Sequence, residues 1–427
     1  MRSLWFAALV IAACGSDNPS PPTTPAIAPP VVRAVPAPAL PPATPPATPA
    51  SMPAVSTPAL ATGGHDFTAE GKALFIVGAC GEGTSAEVEH VPARLRAKHC
   101  AVISRAQAEY GERWVKKARA FFVDAVPKDV PRRVVYPFAG GDLSTALTVY
   151  PDADEITTLS LEPAGDPRTL AMLKGDALAA AMAKVESELR FLYRVNFSNT
   201  INMIAAMRGG RLPTQLIFGL SALKLHGYEL VALRYFRLEP DGAIHYLDDA
   251  DIAQAPDAGK VGSAAQRNRV FSNAEVQFKR PGGRVQIWRH IRANLGNEST
   301  KSIGPGLKAD PRVLRHLEAK GQVAAMTKAA SYLLSWDTFS LMRGYLLDHA
   351  VWMVSDATGV APRWGKPAGF EYETYGAFEA PHIDAGNAIA PDWRKEFAAE
   401  PKRSLGFRFG YYDKKFRNHL VIMRKKA

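Results

Sequence analysis

Arg133-Val134-Val135-Tyr136-Pro137-Phe138-Ala139-Gly140-Gly141-Asp142, continued by Leu143 to Val149, Pro151-Asp152-Ala153-Asp154 and Ile156-Thr157-Thr158-Leu159-Ser160-Leu161-Glu162-Pro163, decides the fold class of this chain. The first six residues read as a strand, rich in β-branched and aromatic side chains. Ala139-Gly140-Gly141-Asp142 is a sharp turn, and Asp142 carries the short acceptor side chain that caps a helix start, here one through Val149. Ile156 to Leu161 is a second strand that closes on Glu162-Pro163. Strand, glycine turn, helix and strand make a βαβ unit, whose two strands are parallel because a helix supplies the crossover.

The pattern extends in both directions. Upstream, Ala73-Leu74-Phe75-Ile76-Val77 predicts a buried strand stopped by Gly78. Ile103 to Ala125 predicts a helix, because Ile103, Ala106, Tyr110, Trp114, Ala118, Phe121 and Phe122 recur at three- and four-residue spacing, and Pro127 and Pro131 end it. Downstream, helices are expected over 176–194, 198–210 and 213–227. Hairpins follow over 228–247 and 274–291, with 249–268 loop-like between them. Asp310-Pro311 opens a helix closed by Gly321, Val323 to Leu334 is a strand candidate, and Asp337 caps a helix through His349. Val351 to Val354 is a short strand, and 405–411 with 420–423 reads as a last hairpin. The expected fold is α/β: a Rossmann-like mixed sheet flanked by helices, with an inserted antiparallel β-meander at 228–292. The globular domain spans 63–427, with a small N-terminal lobe at 63–130.

The chain of 427 residues is 47% hydrophobic, ordinary for a folded protein, and its formal net charge is +11. Its basic residues are scattered, which argues against nucleic acid. The diffuse field suits anionic envelope polymers instead. The most basic stretch, Lys414, Lys415 and Arg417 with Arg424-Lys425-Lys426, reads as a solvated hairpin and tail. Residues 15–62 are Pro-, Ala- and Thr-rich, with almost no charge. Such a composition cannot bury enough surface to fold and favours extended polyproline II, so 14–62 is expected to be a disordered tether.

Three cysteines occur. At the N-terminus, Met1-Arg2-Ser3 is a positive n-region and Leu4 to Val10 a short apolar core. Ile11-Ala12-Ala13-Cys14 resembles a bacterial lipobox. The apolar run is too short to span a bilayer of ~30 Å, and reads as a signal peptide over 1–13. The resemblance implies a lipid-anchored envelope protein, held in the membrane by acyl chains on Cys14 and facing the periplasm or the cell surface. The alternative is a secretory signal with a chance cysteine. Gly15 and Ser16 place no Asp after the lipidated cysteine, which favours the outer membrane. In an oxidising compartment Cys80 and Cys100 form an even pair, expected to be a disulfide, with two free buried thiols as the alternative. His90 and His99 lie nearby, but no metal-ligand spacing accompanies them.

Residues 133–163 resemble the first elements of class I S-adenosylmethionine-dependent methyltransferases. That resemblance implies that Gly140, Gly141 and Asp142 line a cofactor and that Glu162 holds ribose hydroxyls, at the carboxyl ends of parallel strands. The chain departs from the family pattern in having no G-x-G. The compartment also argues against the enzyme, since adenosyl cofactors are cytosolic. Two further readings compete. Ser221-Ala222-Leu223-Lys224 matches S-x-x-K, and Gly219-Leu220-Ser221 is a partial nucleophile elbow, so an envelope serine hydrolase is one alternative. Asp152, Asp154 and Glu155 form an acidic loop without regular calcium-ligand spacing. Asp337, Asp356, His349 and His382 are site candidates by position, and Tyr372, Tyr375 and Phe378 could stack a sugar ring. The leading expectation is a non-catalytic ligand-binding protein using the crevice beside Gly140-Gly141-Asp142 and Glu162. A methyltransferase-like enzyme is the alternative, and the cofactor and ligand are open. The lipobox reading predicts that the chain expressed in a bacterium incorporates radiolabelled palmitate and enters the detergent phase. Cys14→Ala is expected to abolish both.

Overall fold

The computed structural model describes residues 63–196, 212–256, 264–301, 303–378, 390–410 and 419–426. The readings on 1–62, including Cys14, and on 198–210, His382, Lys414, Lys415 and Arg417 lie outside them. All described residues fall in one compact unit, Ser56–Ala427.

Ten strands form one mixed sheet: β1 Arg133–Pro137, β2 Glu155–Ser160, β3 Glu229–Leu238, β4 Ile244–Tyr246, β5 Asn273–Lys279, β6 Gln286–Arg292, β7 Val323–Thr327, β8 Ala350–Ser355, β9 Phe370–Gly376 and β10 His419–Lys425. Their order is β4-β3-β5-β6-β2-β1-β7-β8-β10-β9. The central block β6-β2-β1-β7-β8 is parallel throughout. The strands outside it on both sides are antiparallel to their neighbours. Strand order reverses at β1, which lies between β2 and β7, so the chain leaves β1 toward one side and later returns to build the other. The crevice at such a reversal, beyond the carboxyl ends of the strands, is where open α/β sheets bind ligands.

The parallel strands are buried on both faces, as helices on both faces require. Alternate residues divide between two cores: Val134, Tyr136, Ile156, Met326 and Val354 in one, Val135, Leu159, Ala325 and Met353 in the other. The first face is covered by the helices Thr68–Val77, Ala93–Tyr110, Lys116–Ala125, Leu143–Val149, Gly175–Val195 and Thr214–Leu225. The second is covered by Arg312–Glu318, Ser340–His349 and Ala390–Ala399.

Several expectations are corrected. Ala73 to Val77 is the end of a helix, not a strand. Asp66 accepts a 3.0 Å bond from the Thr68 amide at its start, and the run is buried on every side, so its apolar continuity carries no period. The helix expected from Ile103 begins ten residues earlier, at Ala93, and passes through a π-helical turn, Gly111–Val115, before Ala125. That turn leaves Tyr110 and Trp114 stacked at 5.3 Å. Residues 63–130 are not a separate lobe, since Phe67, Trp114 and Phe122 belong to the same core as Trp288 of β6. The meander at 228–292 is antiparallel as expected through β4-β3-β5-β6, but it joins the main sheet directly, because β6 is also parallel to β2 and forms one edge of the parallel block. The stretch 249–268 carries the helices Asp249–Ala253 and Ala264–Val270. The strand from Val323 stops at Thr327, and β10 pairs with β8 and β9, not with 405–410.

Cys80 and Cys100 are bonded, with Cα atoms 5.3 Å apart, fastening the loop after Thr68–Val77 to the helix Ala93–Tyr110. In the chain-entropy account, cross-linking residues separated by about 20 positions stabilises by about 3 kcal/mol. The double variant Cys80→Ser/Cys100→Ser is expected to melt several degrees below the oxidised protein, and the oxidised protein in excess reductant is expected to melt with the variant.

Candidate functional site

β1 delivers its chain end into a turn of unusual backbone. Phe138 has φ 57° and Gly140 φ 52°. The turn is held to the sheet by the Ala139 amide, which donates to Leu159 O at 3.0 Å. Asp142 caps the Leu143–Val149 helix through the Thr145 amide at 3.3 Å. The same carboxylate accepts from Thr145 Oγ1 at 2.8 Å and Tyr136 OH at 3.1 Å, and pairs with Lys328 Nζ at 2.5 Å. Lys328 follows β7, is wholly out of water, and donates to Thr145 Oγ1 at 2.7 Å. The rings of Trp114 and Phe409 lie 5.8 and 5.7 Å from its ammonium. Burial pushes its pKa down, and Asp142 opposes that.

Gly141 is closed from another side. A Cβ there would lie 2.1 Å from the Phe218 ring, so the turn is packed against the Thr214–Leu225 helix. The Gly140 carbonyl accepts from Gln215 Nε2 at 2.6 Å, and Gln215 Nε2 also lies 3.3 Å from His290 Nδ1. His290 Nε2 donates to Glu162 O at 2.7 Å. The two halves of the expected site, the glycine turn and Glu162, are therefore joined by Gln215 and His290. Nothing in the spacing of the sequence singled out either residue.

Glu162 stands just beyond β2 and is 0% exposed. Its backbone carbonyl is bonded, but neither carboxylate oxygen has a partner among the described residues, and the same is true of Gln215 Oε1 and Ser160 Oγ. Natively buried polar groups are rarely left so, and an unsatisfied one costs on the order of 1–3 kcal/mol. A cleft of about 140 Å³, lined in part by Leu161, Arg292, Asn294 and Leu307, runs beside the ends of β2 and β6.

Ala329, after β7, has φ 60°. Its amide donates to Asp356 Oδ2 at 3.0 Å, and Asp356 Oδ1 accepts from the Thr358 amide at 3.1 Å. Phe138 and Ala329 thus put two left-handed residues with side chains at the ends of the two strands that flank the reversal. Such a conformation costs about 1–3 kcal/mol and tends to gather at functional sites. Chemically the arrangement offers oxygen acceptors without donors at β2, and a neutralised cation–carboxylate pair between β1 and β7.

The other candidates do not join this site. Ser221 is 0% exposed inside its helix, with Oγ 2.9 Å from Gln107 Nε2 and 2.7 Å from Tyr193 OH. Lys224 turns to Gln107 Oε1 at 2.6 Å, and a Cβ on Gly219 would meet Trp288 at 2.0 Å. The glycine is a packing contact and the serine faces no solvent. Asp154 pairs with Arg284, and Glu155 with Arg289 and Lys320, so two of the loop's three carboxylates are already neutralised. Asp337 is solvent-facing and pairs with Arg343 at 3.3 Å. His349 and Asp356 lie at opposite ends of β8. Tyr372 donates to Val360 O at 3.0 Å, Tyr375 packs on Phe121 at 4.9 Å, and Phe378 stacks on Phe397 at 5.2 Å. The close set His245, Asp248 and Asp251 is occupied by the capping box of Asp249–Ala253 and by Arg237.

Among the described residues no helix is long and apolar enough to cross a membrane. The fold and site define an α/β protein with a five-stranded parallel block, buried oxygens without hydrogen-bond partners after β2, and a cleft beside the ends of β2 and β6. Compared with protein-family models, curated proteins and solved structures, the chain matches none.

Burial lowers the pKa of several histidines, His226 and His316 to about 3 and His290 to about 4, while His99 is also lowered. In the unfolded chain a histidine takes up a proton near pH 6.5, whereas these stay neutral in the fold. Their contribution to stability is therefore present above about pH 6.5 and is lost as pH falls toward 4. Denaturant midpoints are expected to drop over that range, and His290→Gln is expected to make the slope shallower by up to about 1.4 kcal/mol per pH unit. An unchanged slope would mean that His290 titrates normally in the native state.

Proposed function

We propose that this chain is a lipid-anchored envelope protein, carried on Cys14, that binds a ligand without catalysis at the crevice beyond β1 and β2. The observation that carries the reading is Glu162, whose buried carboxylate makes no hydrogen bond among the described residues, the Arg292 charge acting on it only at longer range. A buried acceptor set of this kind calls for a ligand that brings donors, such as paired hydroxyls of a sugar or an ammonium group. The Rossmann-like order β6-β2-β1-β7-β8 supports this location, because Glu162 follows β2, next to the strand at which the order reverses, and open α/β sheets bind ligands beyond such strand ends.

The methyltransferase-like alternative keeps one favourable observation, the carboxylate at the end of β2, which suits ribose hydroxyls. The rest of the cradle does not suit an adenosyl cofactor. Gly141 is pressed against Phe218, and Asp142 is consumed by Lys328, Tyr136 and Thr145. The envelope compartment weighs in the same direction. Anionic envelope polymers remain the proposed partners of the net positive charge, and no role in binding nucleic acid is proposed.

A thermal-shift scan of the unlipidated full-length chain (Cys14→Ala) tests this, using S-adenosylmethionine, S-adenosylhomocysteine, nucleotides and envelope sugars. A ligand at 100 times its dissociation constant adds about 2.7 kcal/mol. The shift is expected with a sugar or peptidoglycan fragment and is expected to vanish in Glu162→Gln. A ligand shift that survives Glu162→Gln would move the site elsewhere. A shift with the adenosyl compounds that vanishes in that variant would favour the enzyme.

A further inference from the structure

The opposite edge of the parallel block carries a second cavity. A cleft of about 340 Å³ opens where β1 begins and where the chain enters β2, lined among others by Arg132, Val134 and the segment Thr148–Ala153. Volumes near this size are typical of small-ligand sites. Its walls are mixed: half-buried Val126 and Val130 give aliphatic surface, with Phe122 and Val149 buried in the wall, and Val123, at 73% exposure, stands at the rim as a large aliphatic side chain in water.

The charges around this hollow are mainly of one sign. Arg119, Lys128 and Arg132 line it, against the single carboxylate of Asp152. Arg132 is 3.8 Å from Asp154, and Arg284 pairs with the same carboxylate and donates to Asp152 O. Arg119 is fixed by its bond to His226 Nδ1 at 2.6 Å, and its Nε is buried with no partner among the described residues. A guanidinium N–H in that position lacks an acceptor, and bonds to an ionised acceptor are about twice as strong as neutral ones.

We propose that this cleft binds a medium-chain carboxylate, its head group against Arg119 and its aliphatic chain along Val123, Val126 and Val130. The chain's methylenes bury apolar surface, and the carboxylate supplies the acceptor that Arg119 Nε lacks. Arg132 and Lys128 add long-range attraction at the mouth. A cationic amphiphile of the same length meets three basic residues and is rejected. This site lies at the strand ends opposite to Glu162 and stands or falls independently of it.

Calorimetric titration of the unlipidated full-length chain (Cys14→Ala) with decanoate, decanol and decylammonium tests the assignment. Saturable decanoate binding below its micelle concentration is expected, at least about tenfold tighter than decanol, with no decylammonium binding. Lys128→Glu and Val123→Glu alter exposed residues and leave the core intact. Each is expected to weaken decanoate about tenfold while the melting temperature stays within a degree or so of the parent. The assignment is overturned by absent decanoate binding, by decanol or decylammonium binding as tightly, or by both variants retaining the parent affinity.

Discussion

A lysine and an aspartate that are both withdrawn from water must satisfy each other. Lys328 and Asp142 do so at the point where the sheet reverses its order. Burying an ion costs several kcal/mol, and removing one member of such a pair typically costs about 3–5 kcal/mol because the other is left uncompensated. The pair is thus less a source of net stability than a constraint on geometry. It fixes the end of β7 against the turn after β1, and through Asp142 it also fixes the start of the Leu143–Val149 helix. Trp114 and Phe409 close over it, so the long first-face helix and the 405–410 segment take their positions from the same point.

That constraint divides the carboxyl edge of the sheet into two parts with different chemistry. Between β1 and β7 the charged groups are paired: Asp142 with Lys328, while Asp356 accepts from the Ala329 and Thr358 amides. At β2 the opposite holds: Glu162, Ser160 and Gln215 present buried oxygens that the described residues leave unmatched. The strained Phe138 and Ala329 lie on the seam between the two halves, where close packing determines backbone that neither residue would adopt freely.

The βαβ unit was legible because each of its signals is local. Val134 and Val135 are β-branched, Asp142 caps the helix that follows it, and the crossover leaves only a parallel pairing. The two hairpins around β3 and β5 were legible for the same reason, through Pro240-Asp241-Gly242 and Pro281-Gly282-Gly283. Thr68–Val77 was not, because a short run that is apolar on every side has neither a helical nor a strand period. The place of β6 was not legible either, since its hairpin partner is β5 and its parallel partner, β2, lies more than a hundred residues away.

Of the candidate site, the chain positions of Glu162 and Asp142 could be read directly, because strand ends and helix caps are fixed by neighbouring residues. What each does could not. Asp142 was expected to face a ligand, yet it is neutralised by Lys328, the residue after β7, which has no sequence signal of its own. Gln215 and His290 were invisible because their roles depend on a helix and a strand meeting from distant parts of the chain. Ser221 carried a catalytic-looking motif that burial silences. The sequence by itself determined the α/β class, the glycine turn and the carboxylate that follows β2, since these rest on local propensity and capping. Only the tertiary structure decided which charges are paired and which are left open, because pairing is set by long-range packing and a one-dimensional spacing does not contain it.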